Sequence, residues 1–247
     1  VGIITLNRPE ALNALSLEML DQLDVVLDAV ERDTEVRVLV ITGAGEKAFS
    51  AGADIGDMRE ATALEARAYA QRGHQVINRV ESFPRPIIAA VNGYALGGGC
   101  EFSLACDMRL ASEQAMFGQP EVNLGIMPGW GGTQRLARAT SPGFAKELIF
   151  TGRMCRAVEA HAAGLVNHVY PHEELMGEAL ALAEQIATKP TWAVAAAKEV
   201  VNLALEGDLQ GHLARELDAF ALAFTTQDQR EGMAAFLEKR PAKFEGH

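Results

Sequence analysis

A chain of 247 residues, 49 % hydrophobic and 22 % charged, has the make-up of a globular protein long enough for a sizeable core. Its formal net charge of −11 argues against a general nucleic-acid or membrane-surface binder. No apolar run approaches ~20 residues, so no transmembrane helix is expected, and the N-terminus lacks the basic flank of a signal peptide. Ile3 to Leu6 alternates like a strand, and Asn7-Arg8-Pro9-Glu10 reads as a turn. Ser16 is placed to cap a helix whose leucines, Met19 and valines recur on one face through Val30. Val36 to Ile41 reads as a second, buried strand, ended by Gly43-Ala44-Gly45. A loop of small residues follows, from Ala48 to Ile55, and then a helix from about Ala63 to Arg79.

Ile87 to Val91 is too short for a helix and stops at Asn92-Gly93, so it reads as a buried strand. Gly97, Gly98 and Gly99 come next, and an amphipathic segment from Cys100 to Asp107 reads as the first turns of a helix. Met108 to Ala111 is another short strand. Thr133 to Ala139 and Pro142 to Phe150 read as helices, and Val166 to Val169 as a last strand. Beyond His172 the pattern is almost wholly helical, over about 172–187, 191–206, 208–224 and 228–239. Lys189-Pro190 and Glu206-Gly207-Asp208 punctuate these helices. Strand alternating with helix predicts a layered α/β fold. The segment 191–224 is apolar on more than one side, which points to packing against another subunit.

Three adjacent glycines cost backbone entropy, so something must require them. Close approach to a ligand is one such requirement, because N–H groups at a helix start favour an anion. Glu101 lies in that first turn, and Glu121 follows in Gly118-Gln119-Pro120-Glu121. On the glycine spacing alone, a plain glycine-rich turn beside two surface glutamates is the favoured reading. Gly43-Ala44-Gly45-Glu46-Lys47-Ala48 fits a dinucleotide-binding pattern, but the residues after it do not continue as a helix. Ser50 sits in a loose copy of a nucleophile elbow, yet the strand before it ends near Thr42, too early for that turn. His168 and His172 are four apart, but Pro171 breaks the helix that would align them, so no metal site is expected. The odd set Cys100, Cys106 and Cys155, without CxxC spacing, suits a reducing compartment: the cytoplasm, or the mitochondrial matrix for a chain that has lost a leader.

Several stretches together resemble the crotonase superfamily, and within it the enoyl-CoA hydratases. They are Leu6-Asn7-Arg8-Pro9 with Ala11-Leu12-Asn13-Ala14-Leu15; Phe49-Ser50-Ala51-Gly52-Ala53-Asp54-Ile55; and Ala90 through Glu101. Phe117-Gly118-Gln119-Pro120-Glu121, Pro128-Gly129-Trp130-Gly131-Gly132-Thr133-Gln134-Arg135-Leu136 and Asp228-Gln229-Arg230-Glu231-Gly232-Met233 complete the set, in family order over essentially the whole chain. The resemblance implies a core of repeated ββα units over residues 1–190 that carries the acyl-CoA site. It also implies a helical region over 191–247 that forms trimers, which often pair into hexamers.

By the same resemblance, the N–H groups of Ala53 and Gly98 form an oxyanion hole, and Ala11, Ala51, Asp54 and Ile55 join Gly98 in binding substrate. Glu101 and Glu121 match the hydratase pair, and water would add across the double bond of a trans-2-enoyl-CoA to give a 3-hydroxyacyl-CoA. Glu101 is expected as the base, kept ionised by the helix N-terminus, and Glu121 as the acid, kept protonated by an apolar pocket and a neighbouring carboxylate. No cofactor is implied, since coenzyme A is part of the substrate. Another acyl-CoA reaction of the superfamily, such as double-bond isomerisation, decarboxylation or ring formation, is the alternative; an RNA-binding member fits the acidity and the intact glutamate pair less well. Trp130 suits core packing and an acyl-pocket wall equally. Some members carry lysine where this chain has Glu10 and Gly56, so Arg8, Lys47 and Lys239 are the candidates for the coenzyme A phosphates.

Overall fold

The computed structural model describes every residue except Glu206 and His247, so Glu206 of the expected Glu206-Gly207-Asp208 break lies outside the described residues. Its centre is a five-stranded parallel sheet. Its strands, in spatial order, are β1 (Gly2–Leu6), β2 (Leu39–Gly43), β4 (Ile87–Val91), β6 (Met108–Ser112) and β9 (His168–Tyr170). A second sheet holds β3 (Ala48–Ser50), β5 (Tyr94–Leu96), β7 (Met116–Gly118) and β8 (Met154–Arg156), parallel except at β8. The chain spirals between them. β2–β3 leads to α2 (Ala63–Glu81), β4–β5 to α3 (Gly98–Ala105), and β6–β7 to α4 (Gly132–Ala139). Each turn of this spiral is one ββα unit.

Every residue of β2 and β4 is buried, as strands covered on both faces must be. The pleat sends alternate residues to opposite sides. Leu39, Ile41, Ile87, Ala89 and Val91 face the main core with Phe49, Phe102 and Phe117. Val40, Ile88, Ala90 and Leu110 face α7 (Leu175–Ala187) through its Leu175, Ala179 and Ala183.

The first two helices carry side-chain caps. Ser16 caps α1 (Leu17–Arg32) by accepting from the Met19 N–H at 3.2 Å. Leu20, Leu23 and Leu27 turn inward at helical spacing, while Val25 and Val26, expected on the same face, are exposed. Thr62 and Glu65 form a capping box at the start of α2. Arg72 and Arg79 of α2 reach Asp24 of α1, tying the two helices together. The remaining helices are α5 (Pro142–Thr151), α6 (Ala157–Ala162), α8 (Thr191–Asn202), α9 (Leu209–Ala223) and α10 (Gln227–Glu238).

Four differences from the sequence expectations have physical reasons. The second strand begins at Leu39 and runs to Gly43, because Asn92 receives the Gly43 N–H at 3.2 Å and donates to the carbonyls of Gly43 and Gly45. The small-residue loop begins with a true strand, β3, and with β5, β7 and β8 it is only three residues long, too short to show a period. The segment expected to be amphipathic is α3, and all eight of its residues are buried, as a helix covered all round must be. Among the tail helices α7 begins at Leu175, later than the pattern indicated, because a turn closed by the Glu174 N–H on Pro171 O at 3.0 Å precedes it, and α8 gives way to a 3₁₀ turn at Leu203.

Candidate active site

The site is built where two chain reversals meet. After β3 the chain passes through Ala51 and Gly52, whose φ is +123°. Three backbone bonds pin this reversal to the earlier Ala11–Leu15 segment: Ala51 N–H to Leu12 O at 2.9 Å, Leu15 N–H to Gly52 O at 2.8 Å and Asp54 N–H to Leu15 O at 3.0 Å. The Ala11–Leu15 segment is itself held by buried Asn13, which donates to Ala44 O at 2.9 Å and Ala48 O at 2.7 Å. At the second reversal Gly97 takes a φ of +49°, and Gly98 is the first residue of α3. Among the described residues, neither the Ala53 nor the Gly98 N–H meets a backbone or side-chain acceptor. Gly98 has none by construction, since the first turn of a helix leaves its donors over.

Glu101 is buried one turn further along α3. A single oxygen, Oε1, accepts the N–H of Trp130 at 2.8 Å and that of Gly132 at 2.7 Å. Burial pushes this carboxyl up from its ordinary value, while the two N–H groups and the Arg135 guanidinium act to keep it ionised. The sequence pointed to the α3 N-terminus for that support. The donors the structure shows come instead from Trp130 and from Gly132, the first residue of α4; both lie in the stretch 128–136, which was read for the family resemblance and not for these donors.

Glu121 opens into the same region from the turn after β7. Its carboxyl oxygen lies 3.0 Å from where a Cβ on Gly97 would stand. Burial, aided by the charge of Glu101, drives its carboxyl up to about 7. The buried amide of Gln119, oriented with its nitrogen toward Glu121, donates to Oε1 at 3.0 Å and Oε2 at 3.3 Å. The two carboxyls thus sit in contrasting surroundings, one held by two backbone donors beside a guanidinium, the other by one neutral amide and its own backbone N–H.

Trp130 is a packing residue that also borders the site. Its indole is buried, stacks on Tyr69 at 5.5 Å between ring centres, and wedges between Gly73 of α2 and Gly98 of α3. Asp54 accepts from Arg8 Nη1 at 3.0 Å and from the Gly56 N–H at 3.1 Å. Arg8, a phosphate candidate, is therefore already engaged, and it donates to Ala14 O as well. Ile55 is exposed beside Asp54, and Lys47 and Lys239 are exposed. Ser50, in the elbow-like stretch, is buried and accepts from the Gly52 N–H at 3.3 Å.

Known proteins resemble this chain in sequence and in fold. The model of the enoyl-CoA hydratase/isomerase family matches residues 1–247. The chain is 48 % identical to the short-chain-enoyl-CoA hydratase of Clostridium acetobutylicum, over all of this chain and 94 % of that protein. It is 48 % identical to the crotonyl-CoA hydratase of Syntrophomonas wolfei, over 99 % of this chain and 94 % of that protein. The crystal structure of an enoyl-CoA hydratase from Bacillus anthracis superposes with a TM-score of 0.95 at 43 % identity, covering 99 % of this chain and 95 % of that one. By sequence and by fold, the chain belongs to the enoyl-CoA hydratase/isomerase family.

Proposed function

We propose that this chain adds water across the Cα=Cβ bond of short trans-2-enoyl-CoA thioesters. The observation that carries this reading is the pair of carboxyls, Glu101 and Glu121, poised beside two uncommitted N–H groups.

In the proposed mechanism the thioester oxygen is received by the Ala53 and Gly98 N–H groups. Attack at Cβ moves charge onto that oxygen, and fixed donors stabilise the enolate more than the ground state. Glu101, acting as the carboxylate, takes a proton from water as its oxygen bonds to Cβ. Glu121, held as an acid, delivers a proton to Cα. Water is consumed, a 3-hydroxyacyl-CoA is formed, and the proton gained by Glu101 balances the one lost by Glu121. No electrons are transferred, and coenzyme A enters with the substrate, so the scheme balances without a further cofactor.

Two relatives are named for short-chain and crotonyl substrates, and the buried Trp130 beside Gly98 supports the same preference here. Self-association into a trimer is also proposed. Leu213, Leu217, Phe220 and Phe224 of the α9 segment, and Phe236 and Leu237 of α10, are all exposed, and a partner subunit would bury them. Among the described residues no helix is long and apolar enough to cross a membrane.

The test is the loss of conjugated thioester absorbance when crotonyl-CoA meets the purified protein, with Glu101→Gln measured alongside. Rapid loss that the variant abolishes supports the proposal. Binding without loss would move the search to other acyl groups and then to isomerase and decarboxylase substrates.

A further inference from the structure

We infer that Arg135 is a positioning residue for Glu101, acting through the loop that donates to it. The inference rests on the hydratase reading above. Its basis is the order of peptide units in the loop. The N–H of Trp130 and the N–H of Gly132 both meet Glu101 Oε1. Between these two donor peptides lies a single peptide unit, the one joining Trp130 to Gly131. Its carbonyl, Trp130 O, accepts from Arg135 Nη1 at 3.0 Å. The next carbonyl, Gly131 O, is held by the first turn of α4, through the N–H groups of Gln134 at 3.0 Å and Arg135 at 2.8 Å. Arg135 therefore fixes the middle unit on which the alignment of both donors depends.

The guanidinium is in turn anchored on α2. Nη2 donates to Asn78 Oδ1 and Glu81 Oε2, each at 2.6 Å. The loop is shaped around it. Gly131 has a φ of +107°, and a Cβ there would stand 2.2 Å from Arg135 Nη1. Arg135 Nε is buried without an acceptor among the described residues, so the side chain is not placed to satisfy its own donors. A helix-to-helix ion pair alone would need only Glu81. The additional bond to Trp130 O ties that pair to the catalytic carboxylate.

The arrangement also adds a charge. The titratable and charged groups around Glu101 are Arg135 from α4, Glu121 from the turn after β7, and the neighbouring Cys100 of α3. From α2, Glu81 and His74 face Arg135 and the loop. Arg135 is the one cation in this set that favours ionised Glu101. Removing it leaves a buried carboxylate with weaker support, and its pKa rises. A base must be ionised, so the acid limb of the rate profile moves to higher pH.

The experiment is the pH profile of kcat/KM for crotonyl-CoA hydration by wild type, Arg135→Gln and Arg135→Lys, with kcat and KM measured separately near neutrality. Arg135→Gln should move the acid limb up by about one pH unit. It should also lower kcat near neutrality by about tenfold to a hundredfold with KM little changed. Arg135→Lys keeps the charge but cannot bridge Trp130 O, Asn78 and Glu81 at once. It should lose about tenfold in kcat and keep the wild-type limb. An Arg135→Gln enzyme with the wild-type limb overturns the inference, whether its kcat falls or not. If Arg135→Gln does not fold, wild-type kcat in Arg135→Lys overturns it. An inactive wild type would instead refute the hydratase reading, which separates the two failures.

Discussion

A Cβ placed on Gly98 would stand 3.0 Å from the backbone nitrogen of Ala53. Two N–H groups from distant parts of the chain are thus brought side by side, and only a residue without a side chain permits it. The same Cβ would lie 2.7 Å from the Trp130 ring, which is itself wedged against Gly73 and has no room to retreat. Gly98→Ala should therefore displace both the oxyanion donor and the loop that supports Glu101. We expect kcat for crotonyl-CoA to fall by about two to three orders of magnitude, as when one oxyanion donor is lost. Initial rates at saturating substrate measure this, and circular dichroism shows whether the fold is kept. Wild-type turnover in a folded Gly98→Ala protein would remove Gly98 from the oxyanion hole.

The two carboxyls should separate under amide substitution. Glu101→Gln keeps an oxygen to receive the Trp130 and Gly132 N–H groups, so the loop remains held. It removes the proton acceptor. Glu121→Gln removes the proton donor and leaves an amide facing Gln119. Each change should reduce hydration by about two to four orders of magnitude, the span of general acid–base catalysis. Near-normal turnover in either variant excludes that residue from the proposed chemistry.

Glu121 also makes a prediction about pH. Its carboxyl is raised from 4.5 to about 7, so the folded state holds its proton more tightly than the unfolded chain does. The sign follows from linkage: this contribution to stability is present below pH 4.5 and is lost as pH rises through about 7. Glutamine at this position cannot ionise. The melting temperature of Glu121→Gln relative to wild type should therefore rise between pH 4.5 and pH 8, read by thermal denaturation across that range. A difference that stays constant with pH would show that Glu121 is not held as an acid. Hydration by the wild type should likewise decline above about pH 7 as the proton donor is lost.

The elements that set the fold were legible because they are long or carry caps. Ser16 and the buried run Ile87 to Val91 act locally, and the structure uses each as its residue type suggests. The second sheet was not legible, since its strands gain their identity only from pairing with one another. The same division runs through the site. Glu101, Glu121 and the glycine triplet stand out by composition. The donors to Glu101 are backbone groups of Trp130 and Gly132, which carry no side-chain mark. Gln119 and Arg135 appear as ordinary polar residues until the fold places them against Glu121 and Trp130 O.

Trp130 offers the sharpest test of substrate choice. Its indole fills the space between Gly73 and Gly98 and stacks on Tyr69, so nothing larger than a short acyl group is expected to share that region. On its far side, Tyr69 lines a surface cleft with Leu17, Gly56, Ala68 and Arg72. Trp130→Ala would join the site to that cleft and free a path for a longer chain. Two effects should then appear together. Stability should fall by about 3–5 kcal/mol, the usual cost of deleting a large buried aromatic side chain. The kcat/KM ratio of octenoyl-CoA to crotonyl-CoA should rise, because the apolar tail gains buried surface while the reacting end keeps its donors. Measuring both substrates in one preparation cancels any loss of folded protein. If stability falls while that ratio stays fixed, Trp130 serves packing alone, and the limit on chain length lies elsewhere in the pocket.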